Sequence, residues 1–172
     1  PGSTGKLERV IIEYDRIIGI SSSQVMIKQA ILRNMMESIV IIGQDERLLD
    51  LNPTITQNYI YSIGQNAITV RSGKPNITHN IIRPRQDIDT LNLPGFEYGA
   101  IAVDHPANPL ITHNFIEGGV PVPYHEYDIW GKYHEYIVST GLVFHGSIAP
   151  ANIAYNTFYL SDSAGVEIYP SF

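Results

Sequence analysis

The sequence predicts an all-β chain wound as a coil of about six turns, a single domain over residues 1–172 with two long insertions on one side. Three observations carry this. The pattern Pro-x-Ile-Thr-[Gln/His]-Asn-x-Ile occurs as PTITQNYI (residues 53–60), PNITHNII (75–82) and PLITHNFI (109–116), with a weaker copy, ANIAYNTF, at 151–158. The copies are unequally spaced: 22 residues from Asn58 to Asn80, 34 from Asn80 to Asn114 and 42 from Asn114 to Asn156. A constant strand motif joined by connections of varying length is how a coil of strands behaves when only some turns carry insertions. Finally, Ile is unusually common, with 26 copies, and β-branched side chains favour strands.

Each turn is expected to supply three strands. The first ends near the motif's first Ile and starts at Pro53, Pro75 or Pro109, where a missing N–H disturbs a ladder least. The second follows the Asn. The third begins with a small residue and alternates apolar positions: AITV (67–70), AIAV (100–103), GLVF (141–144) and GVEI (165–168), with SIVI (38–41) and IGI (18–20) as earlier versions. Period-two alternation marks a half-buried strand. Superposed turns would stack Ile55, Ile77, Ile111 and Ile153, and likewise Ile68, Ile101, Leu142 and Val166. The Asn has its own logic. Corners between strands often need a left-handed residue, which Asn tolerates, and its amide both donates and accepts. Asn58, Asn80, Asn114 and Asn156 are therefore expected to form a ladder. It should stop at Ala30, which takes the Asn place in VMIKQAIL (25–32). Asn34, off the ladder, is expected to tolerate substitution far better.

Composition narrows the function classes. The chain has 44% hydrophobic residues, no Cys, and 11 basic against 17 acidic residues, a net charge of −6. There is no basic footprint for nucleic acid, no disulfide or Cys-based metal site, and no apolar run of the ~18 residues a membrane span needs. The chain starts at Pro1 without a signal-peptide core, so it is expected to be a processed chain or a module of a longer one.

The motif followed by Gly/Ala-Ile-x-Val resembles the right-handed parallel β-helix repeats of the pectate-lyase-like superfamily, from about Val10 to Ile168. The resemblance implies a single-stranded β-helix. It leaves function open, since that architecture hosts lyases, hydrolases, phage adhesins and surface proteins. It also implies that loops after the Asn motif wall a cleft floored by the third strands. Those loops are RPRQDIDTLNLPGFEY (83–98) and EGGVPVPYHEYDIWGKYHEYIVST (117–140). Counting alternation outward along the floor gives Arg71, Asp104, His145 and Tyr169 as one column and Thr69, Ala102, Val143 and Glu167 as another. Arg71, Asp104 and His145 are the catalytic candidates, able to bind an acidic sugar or move a proton.

Tyr124, Tyr127, Trp130 and Tyr133 in the second insertion, with Glu167 and Tyr169, are candidates for stacking on sugar or on a protein partner. The His125-Glu126 and His134-Glu135 pairs lack the second His of a zincin motif, since Ile129 and Val138 stand there, and no metal or cofactor is expected. His79 and His113 read as stacked corner residues with Gln57 and Tyr155. The paired aspartates and Gly-His-Gly of the hydrolases are missing beyond FHGS (144–147), and VDHP (103–106) and RPRQ (83–86) only echo the lyase pattern. The favoured expectation is an extracellular structural or surface protein that self-associates through open ends and an aromatic side loop. Polysaccharide binding or cleavage is the alternative.

Overall fold

The computed structural model describes residues 4–15, 17–21, 24–35, 39–41, 51–62, 66–84, 99–104, 106–117, 122–127, 133–138, 140–145, 151–159 and 164–169. Among these the chain is all-β, without helix. Its strands come in tiers of three. The first tier is β1 (Thr4–Glu8), β2 (Ile11–Glu13) and β3 (Ile18–Ile20), and the second β4 (Gln24–Lys28), β5 (Ile31–Met35) and β6 (Ile39–Ile41). The third is β7 (Thr54–Thr56), β8 (Tyr59–Ser62) and β9 (Ile68–Val70), and the fourth β10 (Asn76–Thr78), β11 (Ile81–Pro84) and β12 (Gly99–Asp104). In the fifth, β13 (Leu110–Thr112) and β14 (Phe115–Glu117) lead through a hairpin, β15 (Val122–Tyr127) and β16 (Tyr133–Val138), to β17 (Thr140–His145). The last tier is β18 (Asn152–Ala154), β19 (Thr157–Tyr159) and β20 (Ala164–Tyr169).

Each tier gives one strand to each of three six-stranded parallel sheets. Sheet A runs β1-β4-β7-β10-β13-β18, sheet B β2-β5-β8-β11-β14-β19, and sheet C β3-β6-β9-β12-β17-β20. This connectivity is compatible with the predicted β-helix. The register superposes the repeats as expected: Ile55, Ile77, Ile111 and Ile153 stack in sheet A, and Ile68, Ile101, Leu142 and Val166 in sheet C. Inward residues of all three sheets, such as Ile27, Leu32 and Ile39, belong to one buried cluster. Each fully buried aliphatic side chain contributes about 1.5–3 kcal/mol relative to an exposed one.

Two details differ from the sequence reading. The strands of sheet A start one residue after each proline and run one residue past the Ile, to Thr56, Thr78 and Thr112. Proline lacks only a donor, and its carbonyl is still used: Asn76, Leu110 and Asn152 donate their N–H to the oxygens of Pro53, Pro75 and Pro109. The left-handed corner residue is the one before the Asn. Gln57, His79, His113 and Tyr155 have φ of 57°, 56°, 56° and 57°, as do Arg9 (55°) and Gln29 (53°) in earlier tiers. The corner keeps its bend whatever the residue there. Asn34 is itself left-handed at φ 56°, so it is not the innocuous position expected; an L-residue without Asn's local hydrogen bonding pays a steric cost there.

Packing explains the glycines near the start of the last two third strands, Gly141 and Gly165. In sheet B the inward column is Leu32, Ile60, Ile82, Ile116 and Phe158. Phe158 is the largest, and the neighbouring sheet C positions are glycine. A Cβ on Gly141 would lie 2.6 Å from Phe158 Cδ1 and 2.8 Å from the Gly165 carbonyl oxygen. Earlier tiers, with Ile, have Ala67 and Ala100 in the same place, both fully buried. Gly141→Ala is expected to cost about 1–3 kcal/mol through overpacking. Phe158→Leu in the same chain should make the added methyl less costly, a coupling that a double-mutant cycle on thermal melts detects. Additive losses would show that the ring does not set the size limit.

Candidate functional site

The Asn ladder is in place. Each Asn amide oxygen accepts from the backbone N–H and the side-chain amide of the Asn one tier earlier: Asn58 to Asn80 at 3.0 and 3.0 Å, Asn80 to Asn114 at 2.9 and 3.0 Å, Asn114 to Asn156 at 3.0 and 3.0 Å. Each side-chain N–H also reaches the carbonyl of the previous tier's Ile: Asn80 to Ile55, Asn114 to Ile77 and Asn156 to Ile111. The ladder ends at Ala30 as predicted. There Asn58 Oδ1 accepts the backbone N–H of Ala30 at 2.9 Å, Ala having no amide to add a second bond, and Asn58 Nδ2 donates to the Ile27 carbonyl. Asn58, Asn80 and Asn114 are buried, where such bonds count most because an unmet polar group cannot turn to water.

Outside the ladder, the left-handed residues form an exposed column. The His79 and His113 rings stack with centroids 4.9 Å apart and planes 2° from parallel, and His113 stacks on Tyr155 at 5.0 Å. Parallel stacked rings do not converge their nitrogens on one ion, so this column is a packing device, as its sequence suggested. Among the described residues no three His, Cys, Asp or Glu side chains gather closely enough to hold a metal.

The proposed floor is sheet C. Backbone register aligns Asp104 with His145 and His145 with Tyr169. Arg71 is exposed and follows β9, one residue past the last aligned pair, Val70 with Val103. The second column is also in register: Thr69, Ala102, Val143 and Glu167. Ala102 and Val143 alternate to the outer side, yet both are buried, at 2% and 0% exposure. The middle of this face is covered, which corrects the expectation of an open floor there; alternation gives a direction, not what lies above it.

The second insertion contains an antiparallel hairpin. Its two YHEY stretches pair so that Tyr124 lies opposite Tyr136, Tyr127 opposite Tyr133, and His125 and Glu126 opposite Glu135 and His134. Trp130, between the strands, and the first insertion's residues 85–98 lie outside the described residues.

Sequence reasoning missed the outer face of sheet B. There Arg83 Nε lies 2.7 Å from Glu117 Oε2, an ion pair by distance, though its geometry leaves that oxygen without a hydrogen bond. Hydrogen bonding to Tyr59, then the charge of Glu117, raises the Arg83 pKa above its ordinary value. The same guanidinium stands 5.8 Å over Phe115, whose ring tilts against Tyr159 at 6.1 Å. Arg33 and Glu13 form a second pair at 2.6 Å. The signal was present in the motif: the residue between Asn and the inward Ile is Tyr59, Ile81 or Phe115, large each time.

Comparison with family models, with curated proteins and with solved structures finds no match. Among the described residues no helix is long and apolar enough to cross a membrane.

Proposed function

We propose that this chain is a structural module at a cell surface or outside the cell, a right-handed parallel β-helix of six turns that joins copies of itself through its ends. The observation that carries the reading is the last tier. Inward residues of the middle tiers are fully buried, among them Ile68, Ile101 and Leu142. At the end of that stack Val166 is 38% exposed, and Ile168 beside it 49%. Among the described residues β18, β19 and β20 have a sheet neighbour on one side only, as do β1, β2 and β3 at the other end. Such edges are templates for further pairing, and solenoids ordinarily cover them with polar caps.

Seating a second copy on the exposed tier supplies the missing backbone bonds and gains ~25 cal/mol per Å² of apolar area removed from water. The two ends differ, so the contact is head-to-tail and grows into a filament unless a rotation closes a ring. The second insertion, whose sequence carries Tyr124, Tyr127, Trp130 and Tyr133, is the proposed lateral contact, since aromatic residues are favoured in interfaces. The rival reading, polysaccharide binding or cleavage, draws support from the alignment of Asp104, His145 and Tyr169.

Sedimentation velocity separates the two. The chain is expected to lengthen with concentration, and Val166→Lys with Ile168→Lys to keep it monomeric with an unchanged melting profile. A monomer at every concentration that binds or cleaves an acidic polysaccharide, and loses this on Asp104→Ala, would replace the proposal with its rival.

A further inference from the structure

The outer face of sheet B presents two columns side by side. One reads Ile11, Ile31, Tyr59, Ile81, Phe115 and Thr157 from first tier to last, and the other Glu13, Arg33, Tyr61, Arg83, Glu117 and Tyr159. A sheet face turned to water is normally polar. Here five of the six residues in the first column are Ile, Tyr or Phe, and Ile11 is 60% exposed and Ile81 44%. Ile31 is exposed as well, while Tyr59 and Phe115 are half-buried; exposed apolar side chains grouped in one column and rimmed by polar ones are a feature of interaction sites.

We propose that this strip is where two copies pack side by side, related by a two-fold axis parallel to the strands. Two symmetric arrangements bring one such sheet face onto another. If the axis runs along the stack of tiers, each tier meets its own copy and the columns exchange. Ile81 then lies against Arg83 of the second copy, and charge is buried on aliphatic surface. If the axis runs along the strands, the columns are kept and the tiers reverse: first on sixth, second on fifth, third on fourth. Ile31 then faces Phe115 of the second copy, and Tyr59 faces Ile81. In the other column Arg33 faces Glu117, Arg83 faces Tyr61 in cation–π geometry, and Glu13 faces Tyr159. No like charges meet.

Sliding the copies by one tier destroys this match. One direction sets Arg83 against itself; the other sets Glu13 against Glu117 and Arg33 against Arg83. The charged column therefore fixes the register, while the apolar column supplies the attraction. Such charges choose partner and alignment more than they add affinity.

The strip is narrow. Six strands at ~4.8 Å by three residues at ~3.3 Å give a footprint of roughly 300 Å², well short of the ~800 Å² per partner of a stable complex. The pairing therefore rests on the end-to-end assembly proposed above: copies already joined in a stack offer their strips together, and linked sites bind far more tightly than single ones.

The chain has no Cys, so an introduced thiol is its own reporter. Ile31→Cys and Phe115→Cys chains are mixed at high concentration with a bismaleimide too short to span three tier spacings, ~14 Å. Cross-links between the two variants are expected, with none from Ile31→Cys alone. Links of Ile31→Cys to itself, or none at all, overturn the proposal, and a strip that instead takes a polysaccharide or an unrelated protein gives that second outcome. Sedimentation run in parallel separates the readings. Elongation without the cross-link overturns the strip and leaves the ends. The cross-link without elongation overturns the end-to-end reading and leaves the strip as a weak dimer contact.

Discussion

Asn80→Leu is expected to destabilise the fold by about 3 kcal/mol, while Asn76→Leu, four residues earlier on the outer side, changes it by less than ~0.5 kcal/mol. Asn80 sits at the middle of the ladder and serves four partners. Its Oδ1 accepts from the Asn58 N–H and Asn58 Nδ2, and its Nδ2 donates to the Ile55 carbonyl and Asn114 Oδ1. Leucine matches the volume and supplies none of these. Two of the partners keep another bond: Asn58 Nδ2 still reaches Ile27, and Asn114 Oδ1 still accepts the N–H of residue 80. The Asn58 N–H and the Ile55 carbonyl lose this partner in a site closed to water. Two such losses at ~1–3 kcal/mol each set the magnitude. Urea midpoints of the two variants check it. Asn76 is exposed and turned outward, so equal midpoints would contradict a structural ladder. Asn156→Leu should cost less than Asn80→Leu, because Asn156 is only partly buried and water can replace part of what it gives.

Gly73→Ala is expected to cost as much, about 3 kcal/mol, for a different reason. The residue has φ +84°, and a Cβ there would stand 2.6 Å from the Leu51 carbonyl oxygen and 2.7 Å from Leu51 Cβ. Neither obstacle is a mobile side-chain tip. The same carbonyl accepts the N–H of Lys74, and Gly73 passes its own carbonyl to the N–H of Asn108, so a shift here breaks bonds in two neighbouring tiers. Overpacking at ~1–3 kcal/mol and left-handed strain of ~1–2 kcal/mol combine. Thermal melts of Gly73→Ala beside Gly19→Ala check the prediction. A Cβ on Gly19 would meet nothing within 4 Å, so an equal loss at both positions would refute it.

The fold was legible because its determinants repeat. Ile55, Ile77 and Ile111 occupy one motif position and one buried stack, and the Asn three residues on always finds the next tier's Asn. Repetition makes side-chain chemistry readable from spacing alone. What escaped the sequence depends on single contacts or on what lies above a face. Which of two corner residues turns left-handed is a backbone matter, and His79 beside Asn80 gives no sign of it. Ala102 and Val143 alternate outward like their neighbours, and no pattern in the strand reveals that they are covered. The strip on sheet B was written in the motif, but a residue that varies among Tyr, Ile and Phe looks like tolerance until the register sets the three side by side.

The ladder bonds join residues 22, 34 and 42 positions apart in sequence, yet all measure 2.9–3.0 Å. The chain between successive rungs nearly doubles without disturbing the rung. Loop closure grows only with the logarithm of length, so that doubling costs ~0.6 kcal/mol, less than one buried hydrogen bond in the ladder returns. The corner between sheets B and C, where both insertions emerge, is thus a socket that admits foreign sequence at small thermodynamic expense. A grafted epitope, a binding loop or a whole small domain placed there would be displayed from a rigid wall, at a height set by the tier chosen.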